Sequence, residues 1–210
     1  MIELLSKYEA HTKMTTIDYY NTNATQLIDR YDNANMSSLH QLLLKHIPKN
    51  SSILDIGFGS GRDLQFLHDN GYDIWGIDPS AKFVENAKKR FPSQQNQFLE
   101  ESVPFDRKDI GFPKDLDVVI TIAIWMHLKH SKYKDVVESI VSVLKSQSTV
   151  VISYSQGSRA NDERYFEEVD LDYITELFNV KGFTLVEMLT NNDSLDRDSL
   201  TWVTVVFKND

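Results

Sequence analysis

Five residues of this chain have types and spacing that could do chemistry together: Asp55, Gly57, Gly59, Gly61 and Asp78. The glycines alternate with Phe58 and Ser60 directly after the short apolar run Ile53-Leu54-Asp55-Ile56. Glycines at such a turn let a ligand approach the backbone closely and permit positive φ. Asp78 closes a second apolar run, Ile74–Ile77, 21 positions after Gly57. There a carboxylate can accept hydrogen bonds from both hydroxyls of a ribose. Asp55, set just before the turn, would repel pyrophosphate and suit an ammonium group.

Composition bounds what else the chain can do. Its 210 residues fit one domain, and 41% hydrophobic with 25% charged residues is ordinary globular composition. Lys plus Arg is 22 against 31 for Asp plus Glu, a net charge of −9 that opposes general nucleic-acid binding. Without cysteine, disulfides, thiolate metal sites and Cys nucleophiles are excluded. His11, His40, His46 and His130 lack metal-ligand spacing, so no metal site is expected, and His68 is expected at the surface. No apolar run approaches the ~20 residues that span a bilayer, and the N-terminus lacks a secretory pattern. The expectation is a soluble cytoplasmic protein without a membrane partner. If Met14 is an internal start, residues 1–13 are an extension.

These residues need elements to position them. Leu39, Leu42, Leu43 and Ile47 fall at helical spacing before Pro48, and residues 1–50 are read as an N-terminal helical segment. From residue 51 to 210 strands alternate with helices. Strands are expected at Ile53–Ile56, Ile74–Ile77, Gln97–Leu99, Leu116–Ile122, Thr149–Tyr154, Phe183–Leu189 and Leu200–Phe207. Helices are expected after Gly61 with a stop at Gly71, after a Ser80 cap, after a Ser131 cap, and after an Asp170 cap with Val169 and Ile174 as a hydrophobic staple. Alternation implies a parallel sheet with helices on both faces. The join Thr190–Ser199 is too short for a parallel crossover, so the last two strands form an antiparallel hairpin. The expected fold is α/β: a Rossmann-like, mostly parallel seven-stranded sheet.

Open α/β sheets bind ligands beyond the carboxyl ends of their strands, at the switch point of chain order. The five residues above map to that edge. Dinucleotide folds carry G-x-G-x-x-G, whereas here the third glycine position is Arg62. A ligand with adenosine at one end and an α-amino group at the other fits better, and S-adenosylmethionine is such a ligand.

At these residues the chain resembles the class I S-adenosylmethionine-dependent methyltransferases, in their small-molecule and tellurite-resistance-like branch. Residues Ile53 to Asp63 look like the family's first motif, Asp73 to Ser80 like its second, and Asp117 to Leu128 like its fourth-strand segment. The resemblance spans about residues 17–207. It implies that Asp55 and the backbone of Gly57, Phe58, Gly59 and Gly61 hold the methionine part, with Ala123 near its amine. It implies Asp78 at the ribose, Pro79 beside it in the second motif, and Ser80 with Glu100 or Glu101 near the adenine. Phe58 stands where the family often has Cys or Ala, and Gln97–Val103 lacks its usual Asp-Ala pair. The segment from Asp18 through Tyr20 to Arg30 resembles the branch's lid helices, which close over the cofactor.

Methyl transfer from a sulfonium is an in-line displacement, so the protein mainly aligns the reactants and excludes water. A hydroxyl acceptor also needs a base. His127, just beyond the fourth strand, is the candidate base; the alternative is a histidine that caps a helix or packs beside Trp125. Trp125 and Met126 are candidate walls of the acceptor pocket, and Tyr154, Arg159 and Arg164 are candidate substrate contacts. Glu163, Glu167, Glu168 and Asp170 read as a solvated acidic face. The leading reading is methyl transfer to a small molecule, leaving S-adenosylhomocysteine. Its rivals are a protein or RNA acceptor and a non-catalytic cofactor-binding module. A macromolecular acceptor predicts a basic patch or an added domain, and the Asn-Pro-Pro-Tyr type of motif is absent from Thr121-Ile122-Ala123-Ile124.

Overall fold

A computed structural model describes residues 14–108, 111, 115–157, 159, 162–193 and 200–209. Residues 1–13 lie outside the described residues, as does much of the join between the last two strands.

Among the described residues one seven-stranded sheet forms the centre. Its strands are β1 (Ser52–Ile56), β2 (Asp73–Asp78), β3 (Phe98–Glu100), β4 (Leu116–Ile122), β5 (Leu144–Gly157), β6 (Phe183–Asn192) and β7 (Leu200–Asn209), in the order β3-β2-β1-β4-β5-β7-β6. The β1–β2, β1–β4, β2–β3 and β4–β5 pairs are parallel, and β7 runs antiparallel to both β5 and β6. The expected mostly parallel sheet with a closing hairpin is therefore borne out. Chain order reverses at β1, flanked by β2 and β4, which opens a crevice there.

Among the described residues six α-helices cover the faces: α1 (Thr16–Asp32), α2 (Ser37–His46), α3 (Arg62–Asp69), α4 (Ala81–Arg90), α5 (Tyr133–Ser142) and α6 (Leu171–Val180). The pleat divides the core, because successive strand residues point to opposite faces. Ile53, Ile74, Val118 and Ile120 pack with Leu27, Leu43, Leu64 and Val84 of α1 to α4. Leu54, Ile77, Val119 and Ile152 pack with Val136, Ile140, Ile174 and Phe178 of α5 and α6. The first two helices thus share a core with the sheet. None of the helices among the described residues is long and apolar enough to cross a membrane.

Local signals explain most boundaries. Thr15 and Asp18 form a reciprocal capping box at the start of α1. Ser80 caps α4 and Asp170 caps α6, as expected, and Gly71 follows α3 at φ +82. Ser131 does not cap α5, which corrects the sequence reading. It lies inside a 3-10 turn, His130–Lys132, that leads straight into the helix, with Lys132 at the cap position and no side-chain bond. The tighter turn already supplies backbone partners, so the serine has no orphan amide to satisfy.

Candidate functional site

The crevice is built on the turn after β1. Gly57 donates its N–H to Ile77 O at 2.7 Å, continuing the β1–β2 ladder past the strand end. It holds φ +74, and a Cβ there would stand 2.3 Å from Ile124 Cγ2, so only glycine fits. Asp78 then locks the turn to the end of β2. Its Oδ2 accepts from Gly59 N at 2.9 Å and its Oδ1 from Ser80 N at 2.8 Å. Phe58 points inward rather than at the crevice mouth: a Cβ on Gly76 would meet its ring at 2.7 Å. The glycine in β2 is therefore the complement of the phenylalanine in the turn.

Asp55 lies on β1 under this turn. It is 1% exposed, and its Oδ1 has no hydrogen-bond partner. Burial, and after it the carboxylates of Asp63 and Asp78, raise its proton affinity well above the usual range, against the pull of Arg62. Burial likewise pushes Asp78 up to about 6, opposed by its bonds from Ser80 and Gly59. A buried carboxylate oxygen without a donor is costly unless a ligand supplies one. Asp55 borders a cavity of about 570 Å³ that runs from the glycine turn to the ends of β5 and β7. An ammonium group entering the cavity would donate to Oδ1, so this acceptor fits the amino end of S-adenosylmethionine.

Arg62 and Asp63 follow Gly61 and brace the same end. Arg62 donates to both oxygens of Asp63, at 3.1 and 2.7 Å, and to Tyr31 O at 3.0 Å. His40 Nε2 lies 2.8 Å from Asp63 Oδ1, and the His40 ring stacks on Phe66 at 3.8 Å. Although burial opposes it, this pairing holds the Asp63 carboxyl below the usual range. The network ties the last turn of α1 and the body of α2 to the start of α3. At the other end of α1, Asn21 Oδ1 accepts from Ser80 Oγ at 2.7 Å.

Tyr20, His127, Arg164 and Phe166 also line the cavity. Tyr20 Oη and His127 Nε2 are 2.9 Å apart, and His127 Nδ1 lies 2.7 Å from Tyr165 O. Arg164 donates to Tyr20 Oη at 3.0 Å and grips both oxygens of Asp162 at 2.9 and 2.6 Å. Burial lowers the His127 pKa to about 4; the bond to Tyr165 opposes this, and Arg164 and Arg159 add to it.

The structure brings together on the cavity wall Asp55, Gly57, Phe58, Gly59, Ala123, Tyr20, His127, Arg159 and Arg164. Gly61 caps α3 behind the turn. Asp78, Pro79 and Ser80 form the β2 end next to it. Glu100 is the register partner of Asp78, and Glu101 N donates to Asp78 O at 3.2 Å, so both lie beside that end and not on the cavity wall. Arg30 is exposed on α1, and its neighbour Tyr31 faces the cavity instead. Trp125 and Tyr154 are corrected: both are fully buried in the α5–α6 core. Trp125 Nε1 donates to Thr121 Oγ1 at 2.8 Å, while Met126, the other candidate wall, lines the cavity with His127. Tyr154 alternates with Ser153 and Ser155, so the pleat presents the serines and buries the tyrosine.

Sequence reasoning missed several wall residues. Ser153, Ser155 and Thr204 are buried hydroxyls in otherwise apolar strands, and that mismatch of type and environment was the available signal. Asn191 and Asn192 close the end of β6 without a local signature. Asp63 carried a signal only through its place beside Arg62 at the start of a helix.

Comparison with known proteins bears on the family and the fold. Residues 53–147 match the family model described as a methyltransferase domain. An uncharacterized methyltransferase of Staphylococcus carnosus is 22% identical over 171 residues, covering 74% of this chain and 78% of the relative. The crystal structure of 1,6-didemethyltoxoflavin-N1-methyltransferase from Burkholderia thailandensis, with bound 1,6-didemethyltoxoflavin and S-adenosylhomocysteine, is similar at TM-score 0.72 and 16% identity. That alignment covers 92% of this chain and 86% of the other. A TehB-like S-adenosylmethionine-dependent methyltransferase from Corynebacterium glutamicum is similar at TM-score 0.66 and 19% identity, covering 92% and 98%. The resemblance to the class I methyltransferases is borne out by the family match, and the fold by the structures.

Proposed function

We propose that this protein transfers a methyl group from S-adenosylmethionine to a small-molecule acceptor. The observation that carries the reading is the partnerless, buried Oδ1 of Asp55, placed under the glycine turn and at the wall of the cavity. The methyltransferase domain implies S-adenosylmethionine as the cofactor, and its sulfonium supplies the methyl group. Asp55 accepts hydrogen bonds from the α-ammonium. The turn lines the cavity at Gly57 and Gly59, whose backbone would take the methionine part, while Gly61 supports the turn from behind. Asp78, already oriented by Gly59 and Ser80, holds the ribose hydroxyls, and Ser80, Glu100 and Glu101 border the adenine. Helices α1 and α2 act as the lid: Tyr20, Tyr31 and Met36 close the cavity above the turn and exclude water.

That cover supports a small acceptor. The cavity is walled by the protein's own helices, and the net charge of −9 disfavours a nucleic-acid acceptor. The uncharacterised acceptor would lie near Ser153, Ser155, Met126 and His127, beyond the turn. Incubation with methyl-labelled S-adenosylmethionine and either a deproteinised metabolite extract, bulk RNA or bulk protein tests the reading. Label recovered in a small organic product supports it. Label recovered in RNA or protein overturns the acceptor class, and failure to bind the cofactor overturns the reading as a whole.

A further inference from the structure

We propose that Tyr20 is the catalytic group that takes the proton from a hydroxyl acceptor, handing its own phenolic proton to His127 Nε2. The proposal rests on the methyltransferase reading and adds the acceptor class, an O–H compound whose proton must leave as the new bond forms.

The hydrogen-bond directions follow from what each atom is able to do. Tyr165 O is a carbonyl and only accepts, so the Nδ1 that faces it at 2.7 Å carries the imidazole hydrogen. In a neutral imidazole Nε2 is then the acceptor, and Tyr20 Oη, 2.9 Å away, must donate to it. Arg164 only donates, so its 3.0 Å bond to Tyr20 Oη takes one phenol lone pair and offers the phenolic proton no outlet. The second lone pair remains for a hydroxyl entering the cavity that Tyr20 lines.

The surroundings keep the pair in this state. Phe166 lies 4.5 Å from the His127 ring, and Tyr20 stands edge-on to it at 5.7 Å. Arg164, Arg159 and Asp162 face the imidazole from the segment after β5, while Tyr31 of α1 and Asp78 at the end of β2 face the phenol. Burial first, then Tyr31 and Asp78, raise the Tyr20 pKa against Arg164, so the phenol is not ionised at rest. With its pKa near 4, the imidazole is unprotonated at neutral pH. Asp162 holds Arg164 in a two-point grip, which makes Arg164 a positioning residue for the phenol oxygen.

The step balances. As the acceptor oxygen bonds to the methyl carbon, the carbon–sulfur pair stays on sulfur. The acceptor proton moves to Tyr20 Oη while the phenolic proton moves to His127 Nε2. The positive charge lost from the sulfonium ends on the imidazolium, which returns its proton to solvent after product leaves.

Phenol and thiophenol are suitable probes, because at pH 7.5 the first is protonated and the second is ionised. Wild-type protein should methylate both, with a phenol rate that is flat between about pH 6 and 9. Tyr20→Phe should lower the phenol rate by about 100-fold or more, and the residual rate should climb tenfold per pH unit as the acceptor ionises unaided. The thiophenol rate should fall less than tenfold. His127→Gln should match Tyr20→Phe with phenol. Two readouts need no turnover. Nitrogen-15 NMR of the free protein should show His127 as the Nδ1–H tautomer, and calorimetry should show S-adenosylhomocysteine bound by wild type and Tyr20→Phe within about tenfold. An Nε2–H tautomer, an equal loss with both probes, or cofactor binding without phenol methylation overturns the relay and leaves the methyltransferase reading standing. Absence of cofactor binding by wild type overturns both.

Discussion

Asp78 Oδ2 accepts a hydrogen bond from the backbone N–H of Gly59 at 2.9 Å, so the end of β2 holds the turn that follows β1. The same carboxylate takes Ser80 N on its other oxygen. One side chain thus sets the spacing between the two loops that would grip opposite ends of an adenosine-containing ligand.

Asp78→Ala should weaken S-adenosylmethionine binding by on the order of tenfold or more, from lost hydrogen bonds to a charged acceptor. It should also lower stability by about 2 kcal/mol, because Gly59 N and Ser80 N lose their acceptor. Asp78→Asn should fall between the two, since its amide keeps one acceptor oxygen. Calorimetry and urea unfolding measure both effects, and unchanged affinity would rule out the ribose role.

Ligand binding should depend on pH through Asp55. Burial raises its folded pKa, so the free protein keeps a proton there to higher pH than an exposed carboxyl does, and an arriving ammonium must displace it. Affinity should therefore rise with pH, and binding should release up to one proton. Calorimetry in buffers of different ionisation enthalpy reads that proton directly. In Asp55→Asn the release should vanish and the affinity should lose this dependence.

Stability of the free protein should carry the matching signature from Asp78. A carboxyl whose folded pKa is raised contributes stability that is complete below its unfolded value and is lost as pH rises through the folded value, here about 6. His127, with a lowered pKa, works in the opposite direction over an overlapping range. The difference between wild type and Asp78→Asn isolates the carboxyl: wild type should lose stability relative to the variant as pH is raised from 4 to about 6. A constant difference across that range would contradict the assignment.

Gly57→Ala should cost stability and binding together, since its Cβ would fall 2.3 Å from Ile124 Cγ2 at a φ of +74. Adding Ile124→Ala should relieve the clash and leave only the backbone strain. The double-mutant cycle should show a favourable coupling of about 1 kcal/mol or more. Strictly additive losses would show that the contact is not the cause.

What the sequence reveals here depends on how far apart the interacting residues are. Asp55, the alternating glycines and Asp78 are legible because a turn and the end of the next strand are local patterns with fixed spacing. The sheet is legible because its strands are apolar and its helices amphipathic. The Tyr20–His127 bond joins residues 107 positions apart, and nothing in either neighbourhood announces the other. Trp125 as a pocket wall and Tyr154 as a substrate contact fail for a different reason. Their region is placed correctly, but a one-residue step around a turn or along a pleat exchanges the buried side for the open one. Ser131 resembles a cap in type, yet a 3-10 turn occupies its place.

The structure of the protein with S-adenosylhomocysteine bound tests the central claim most directly. The account predicts the amino nitrogen within about 3 Å of Asp55 Oδ1, with the ribose hydroxyls on Asp78. A complex in which Asp55 Oδ1 still lacks a donor, or in which the ligand lies elsewhere in the fold, would contradict it.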